Sequence, residues 1–369
     1  MTRLYGRDYT RSELLRHVGR LDQVAGARLV TLEDGAARGV RVIEFRTGAG
    51  LSFDVLVDRA FDVGRCDLDG ASLCWQANPG VVGPWYYEPQ GWGWFRAWGG
   101  GMVVTCGLDH TLGPGEDTAE HFSQPHVRTT ESYGLHGRVG GLPARLVGYG
   151  ERWEGDECVL WAEGEVLQSM VYGEHLLLRR RIEARVGENR FRIRDVVENV
   201  GHTRVSHMLL YHCNAGFPVV DAGAELLVPA RATTTSYGVP VEGYRAMSGP
   251  IPDASEACFE HDVIAEAGGD VPVALINRRL GIGVYQVFNR DQLPFHTVWR
   301  MLGEDTYGVA MEPSTNRDAG RWDARERGEL GELAPGEVRT YDLEIGALRG
   351  ADEIDRFAGR VAALGPAPA

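Results

Sequence analysis

Four segments of the chain set ionisable side chains among glycines and apolar residues, where an acid, a base or a charged fork can act on a small polar molecule. In SHMLLYHCNAGFPVVD, residues 206–221, an apolar strand leads into His212 and Asn214. Strand alternation puts these two with Leu210 on one face and His207 with Leu209 and Tyr211 on the other. His212 reads either as an acid or base where the strand runs out into a tight loop, or as a core histidine satisfied by backbone. In YGVAMEPSTNRDAGR, residues 307–321, Glu312 closes an apolar strand just before Pro313. A carboxylate held there loses solvent, which raises its pKa toward the range of a general base. The plain alternative is a rim carboxylate bonded to Asn316 or Arg317. In SYGLHGRVGGLPA, residues 132–144, His136 precedes Gly137, whose missing side chain would let a ligand come close. In DRAFDVGR, residues 58–65, Arg59 either clamps a substrate hydroxyl or carboxylate with its planar fork, or pairs at the surface with Asp58 or Asp62.

These residues need elements to position them, and the pattern is strand after strand. Residues 40–46, 51–57, 101–106, 158–163, 176–182, 191–197, 205–211, 282–288 and 338–345 are short, β-rich and often alternating. Gly, Pro, Asn and Asp punctuate them, and Gly reaches 49 of 369 residues, well above average usage. Helix signals sit at the ends. Thr10 and Glu13 have capping-box spacing before Leu14, and Ile354, Phe357, Val361 and Leu364 recur at helical steps. No linker or repeat divides the chain. The expected architecture is one all-β domain over 1–369, a large antiparallel β-sandwich with a helical lead-in at 1–28 and a C-terminal helix at 350–369. The polar stretch 112–132 is the longest expected loop.

Composition excludes several functions. The balance of 38 basic to 52 acidic residues, net −14, argues against nucleic acid or an anionic membrane as partner. There is no lysine, so no Schiff-base or lysine-base mechanism is available. No GxGxxG or GxxxxGK[ST] motif supports nucleotide chemistry. The six cysteines show no CxxC spacing. The N-terminus lacks the apolar core of a signal peptide, so a cytoplasmic location with reduced thiols is expected.

Together LHGRVGG, LLYHCNAGFP and MEPSTNRDAGR, in that order, resemble the aldose 1-epimerase (galactose mutarotase) superfamily. The chain most resembles a bacterial domain-of-unknown-function branch marked by DRxFDVG, TCGLDH, YGLHGR, YHCNxGFP and EPSTN, over about Val40 to Ile345. The resemblance implies a galactose mutarotase-like supersandwich and interconversion of the α and β anomers of an aldose without a cofactor. It implies Glu312 as base, His212 as acid, His136 as a contact to the ring oxygen or a hydroxyl, and Arg59 as a substrate-binding arginine. Asn214, Trp94, His110 and Arg317 complete the expected substrate contacts. The chain departs from the familiar mutarotases in having Cys213-Asn214-Ala215-Gly216-Phe217 after the acid, and Ser-Thr-Asn-Arg-Asp-Ala from Ser314.

Other features bear on the ligand. Trp92, Trp94, Phe95 and Trp98 crowd between glycines and either stack on sugar C–H faces or pack in the core. Arg59, Arg138, Arg317 and Arg321 leave room for an anionic substituent. His121 and His126, with His110 or His136, are material for a metal site. The expected partner is a small sugar, with room for a homodimer. The alternatives are a lyase or epimerase on an acidic sugar, a metal-dependent isomerase, and a non-catalytic sugar-binding protein.

Overall fold

A computed structural model describes residues 1–119, 121–124, 126–236 and 238–365. Thr10 caps the helix Arg11–His17 as its spacing predicts: its hydroxyl accepts the Glu13 backbone N–H, and the Glu13 carboxylate accepts the Thr10 N–H. A two-stranded ribbon, Thr2–Leu4 with Arg7–Tyr9, precedes that helix in the expected helical lead-in.

The remainder is a mostly β, antiparallel architecture built on three large sheets. One has eight strands in the order Arg145–Glu154, Glu157–Ser169, His175–Arg185, Arg190–Asn199, Val338–Arg349, Ile282–Asn289, Asp270–Asn277 and Glu225–Leu227. A six-stranded sheet runs Ala230–Thr235, Ala257–Val263, Phe295–Leu302, Tyr307–Ser314, Met208–Gly216 and Val104–Leu108. The third, of five strands, is formed by residues 26–72. Sequence alternation explains how the first two meet. In His175–Arg185 every second residue from Leu176 to Ala184 is buried, and Leu178 and Ile182 share one core with Leu209, Tyr211 and Cys213 of the six-stranded sheet. The five-stranded sheet joins that core through Phe53, stacked on Phe191 at 4.4 Å between ring centres.

Several boundaries differ from expectation. The 205–211 strand breaks at His207: Val205–Ser206 pairs with Glu332–Leu333, and a new strand runs from Met208 to Gly216. His212 therefore lies within a strand and not at its exit. That strand can end in glycine because another backbone lies against it; a Cβ on Gly216 would sit 2.6 Å from the Trp75 Cα. The expected 101–106 strand starts at Val104, since Gly100 and Gly101 have φ of +74° and +107°. The stretch 112–132 is not all loop, because Gly115–Thr118 pairs with Thr130–Tyr133. The C-terminal helix spans Gly350–Ala362, with Ile354, Phe357 and Val361 packed on Ala274, Ile276 and Tyr285; residues 366–369 of the expected helix lie outside the described residues. Strands such as Phe295–Leu302 escaped the sequence reading because they are buried on both faces at most positions, which removes the alternation.

Candidate active site

Strand register makes the site. Met208–Gly216 pairs with Tyr307–Ser314, with Leu210 opposite Ser314 and Cys213 opposite Met311, so His212 falls opposite Glu312. Opposite residues on neighbouring strands point to one face. His212 Nε2 lies 3.0 Å from Glu312 Oε1, with both side chains 4% exposed. The contact has the length of a hydrogen bond but not its alignment, leaving Oε1 a buried carboxylate oxygen with no aligned donor.

Asn214 sets the histidine tautomer. Its side-chain NH2 donates to the carbonyls of Gly101 and His212, each at 2.9 Å, which turns Oδ1 toward His212 Nδ1 at 2.6 Å. Nδ1 therefore carries a proton, and in the neutral ring Nε2 presents its lone pair to Glu312. Asn214 itself is fully buried and does not line the cavity. Its place is behind His212, where it orients the ring from outside the cavity.

His136 arrives from another segment. Gly137 bridges Gly107 at the edge of the six-stranded sheet. His136 has φ +58° and Leu112 φ +69°, and the two are clasped together. The His136 N–H donates to the Leu112 carbonyl at 2.9 Å, and the Leu112 N–H points at His136 Nδ1 at 3.4 Å. The proton of neutral His136 is thereby assigned to Nε2. The His136 and His212 rings lie 5.8 Å apart, edge to face. Gly137 is needed for backbone packing and not for ligand approach, since a Cβ there would lie 2.4 Å from the carbonyl oxygens of Gly107 and His110.

These three side chains line a cavity of about 700 Å³, whose walls include Trp75, Trp92, Trp94, Phe95, Trp98 and Trp299. The aromatic cluster is both core and wall. Trp94 and Trp98 are nearly buried, and Trp98 packs edge-on to His212 at 5.0 Å, whereas Trp92 is 62% exposed. Burial in this apolar surround raises the Glu312 carboxyl well above its ordinary range, with Asp318 and Glu256 adding repulsion. Burial also lowers His212 to about 4, the Asn214 hydrogen bond opposing it. His136 is held well below its usual value, by burial first and then by His212 and His110.

The other expected ligand contacts lie outside this cavity. Arg59 is buried with its guanidinium turned to backbone: Nε donates to Gly140 O at 2.7 Å, and one terminal nitrogen to Val82 O and Ala97 O at 2.7 and 2.8 Å. Neither Asp58, which pairs with Arg41, nor Asp62, which pairs with Arg180, is its partner. His110 is buried with Nε2 2.9 Å from Gly113 O. Arg317 pairs with Glu260 at 2.8 Å and Glu329 at 3.1 Å. Arg138 is held by Glu131 and Glu174 and Arg321 by Asp117, so no arginine lines the cavity. His121 is buried 3.9 Å from Glu174, while His126 is exposed. Among the described residues no group of three or more His, Cys, Asp or Glu side chains is arranged to hold a metal ion. Trp75, Trp299, Glu256 and Asp318 line the cavity and were not anticipated. The pairing of Phe295–Leu302 with Tyr307–Ser314, which puts Thr297 opposite Glu312, brings Trp299 near His212 and Glu312.

Residues 37–347 match the model of a family described as a domain of unknown function, DUF4432. The chain belongs to the DUF4432 family. This DUF4432 protein is also similar to solved structures. One is a candidate aldose 1-epimerase from Klebsiella pneumoniae, 22% identical, covering 93% of this chain and 90% of that one, with a TM-score of 0.82. Another is a galactose 1-epimerase from Lactobacillus acidophilus, 13% identical over 88% of this chain and 99% of that one, at 0.55. A galactose mutarotase-like protein from Clostridium acetobutylicum is 11% identical over 88% and 98%, also at 0.55. At these identities the likeness shows a common galactose mutarotase-like fold. No curated protein matches the sequence of this DUF4432 protein. Among its described residues no helix is long and apolar enough to cross a membrane.

Proposed function

We propose that this DUF4432 protein interconverts the α and β anomers of an aldose, with the whole chain acting as one domain. The observation that carries the reading is the His212–Glu312 pair, 3.0 Å apart on the cavity wall. An acid and a base that touch suit a reaction whose two exchanging oxygens sit on one carbon. In a cyclic aldose, C1 bears both the hydroxyl and the ring oxygen. Glu312 as carboxylate takes the hydroxyl proton, and the O–H electrons form the C1=O double bond. The bond from C1 to the ring oxygen breaks, and that oxygen takes the proton from His212. Rotation about C1–C2 and the reverse transfers close the other anomer. One proton is shared by the pair throughout, and His136 Nε2–H supports a hydroxyl. The bare pair, with burial favouring both neutral forms, already matches the protonation of the open-chain stage.

Saturation-transfer NMR on a panel of neutral and amino aldoses tests this, with His212→Asn as control. Wild type is expected to accelerate exchange for at least one sugar, and the variant is not. No acceleration for any sugar would overturn the reading. The pH profile follows from the shared proton. A second proton, taken up as pH falls toward the His212 value of about 4, removes the base. Loss of the shared proton at high pH removes the acid. The profile of kcat/KM should therefore be broad through neutrality, with its acid limb near pH 4. A limb at an ordinary histidine value would contradict the assignment.

Asn214 is a positioning residue on this reading. In Asn214→Ala, kcat should fall by about 10²-fold through misalignment of the ring. The acid limb should also move lower, because the hydrogen bond to Asn214 raises the His212 pKa. An unmoved limb with unchanged kcat would leave Asn214 a packing residue only.

A further inference from the structure

The charge of the cavity is one-sided. Its titratable lining consists of His136, His212, Glu256, Cys258, Glu312 and Asp318, the Cys258 thiol being pushed up by burial; no arginine lines it and the chain has no lysine. The carboxylates descend in depth. Glu256 is exposed at the mouth and accepts the Trp299 indole N–H at 2.8 Å. Asp318 is half-buried and accepts the Ser236 hydroxyl. Glu312 is buried, with Oε1 lacking an aligned partner. Tryptophans line much of the remaining wall, and an indole ring attracts cations over its face. Carboxylates and indoles thus favour the same charge, and among the described lining residues only the two histidines can carry a positive one.

We propose that this cavity selects an aldose bearing a protonated amine over its neutral counterpart and rejects sugars bearing a carboxylate, phosphate or sulfonate. The inference rests on the anomer-exchange reading and names the substrate class of that same site. An ammonium beside Glu256 and Asp318 adds a charge–charge attraction to the hydrogen bond that a neutral hydroxyl would donate to the same carboxylates. An anion entering the cavity would lose hydration and meet two carboxylates and no arginine or lysine to pair with. Mutual repulsion already raises the Asp318 carboxyl, after burial, with Glu260 and Glu256 as sources. A bound ammonium would relieve that repulsion.

The test compares kcat/KM for anomer exchange of 2-amino-2-deoxyglucose, 6-amino-6-deoxyglucose, glucose, glucuronate and glucose 6-phosphate, at a pH where the amines are protonated. At least one amino sugar is expected to exceed glucose by about tenfold, and both anionic sugars to fall about tenfold below it, the change that roughly 1.4 kcal/mol of differential binding produces. In the Glu256→Gln, Asp318→Asn double variant the ratio of amino sugar to glucose should drop toward one. Both amino sugars at or below glucose, or a ratio unmoved by the double variant, would overturn the proposal. Calorimetric binding of the same sugars separates this outcome from failure of the parent reading. If no sugar is turned over but an amino sugar binds more tightly than glucose, charge selection stands and anomer exchange falls. If no amino sugar outbinds glucose, charge selection falls.

Discussion

Replacing Glu312 by glutamine is expected to slow catalysed anomer exchange by about 10³-fold or more while leaving the fold intact. The amide keeps the size and shape of the carboxyl but cannot take a proton from the anomeric hydroxyl. Stability should hold, since Glu312 Oε1 has no aligned hydrogen bond to lose and its ionisation is opposed by burial. His212→Asn should cost a similar factor. The double variant should be little worse than either single one, because acid and base move one shared proton and act as a unit. Saturation-transfer NMR gives the rates and thermal unfolding gives the stability. A Glu312→Gln protein that keeps wild-type exchange would remove this residue from the chemistry. A protein that loses activity together with its thermal transition would point to packing instead.

The second large effect concerns stability. Arg180→Met is expected to destabilise the protein by about 3–5 kcal/mol, the usual consequence of removing one member of a buried ionic cluster. Arg180 is fully buried in the inward row of its strand. Its Nε and one terminal nitrogen reach Asp195 at 2.8 and 2.6 Å, and the other terminal nitrogen reaches Asp62 at 2.7 Å. Asp195 also accepts the Tyr211 hydroxyl at 2.7 Å. The cluster thereby joins four separate strands, one of which continues directly into His212. Methionine fills much of the volume but leaves two buried carboxylates without their cation. Urea unfolding measures the loss. A change below about 1 kcal/mol would mean that solvent reaches the cluster, as at an exposed ion pair.

The site was legible in the sequence where chemistry and local pattern coincide. Glu312 stood out because an apolar strand carries a carboxylate next to proline, and His212 because alternation puts it with Asn214 on one face. The arginines misled for a physical reason. A guanidinium has five donors and is satisfied equally well by carbonyls, carboxylates or ligand oxygens. Arg59, on Gly140, Val82 and Ala97, takes the first course, and Arg317, on Glu260 and Glu329, the second. Gly137 misled similarly, because a backbone neighbour demands a missing side chain as strictly as a ligand does.

What the sequence by itself determined is local: the capped helix at Arg11–His17, most of the run of β-strands, and the inward and outward faces of those strands that alternate. These follow from capping and from a side-chain period of two, which reach only a few residues along the chain. The tertiary structure decided everything that depends on which strands become neighbours. The pairing of Met208–Gly216 with Tyr307–Ser314 sets His212 against Glu312. The same six-stranded sheet brings Trp299 into the wall, and the loops around it leave a lining rich in carboxylates and free of arginine. Register between segments remote in sequence is chosen by the burial of whole faces, so no local pattern could announce His212 and Glu312 in contact.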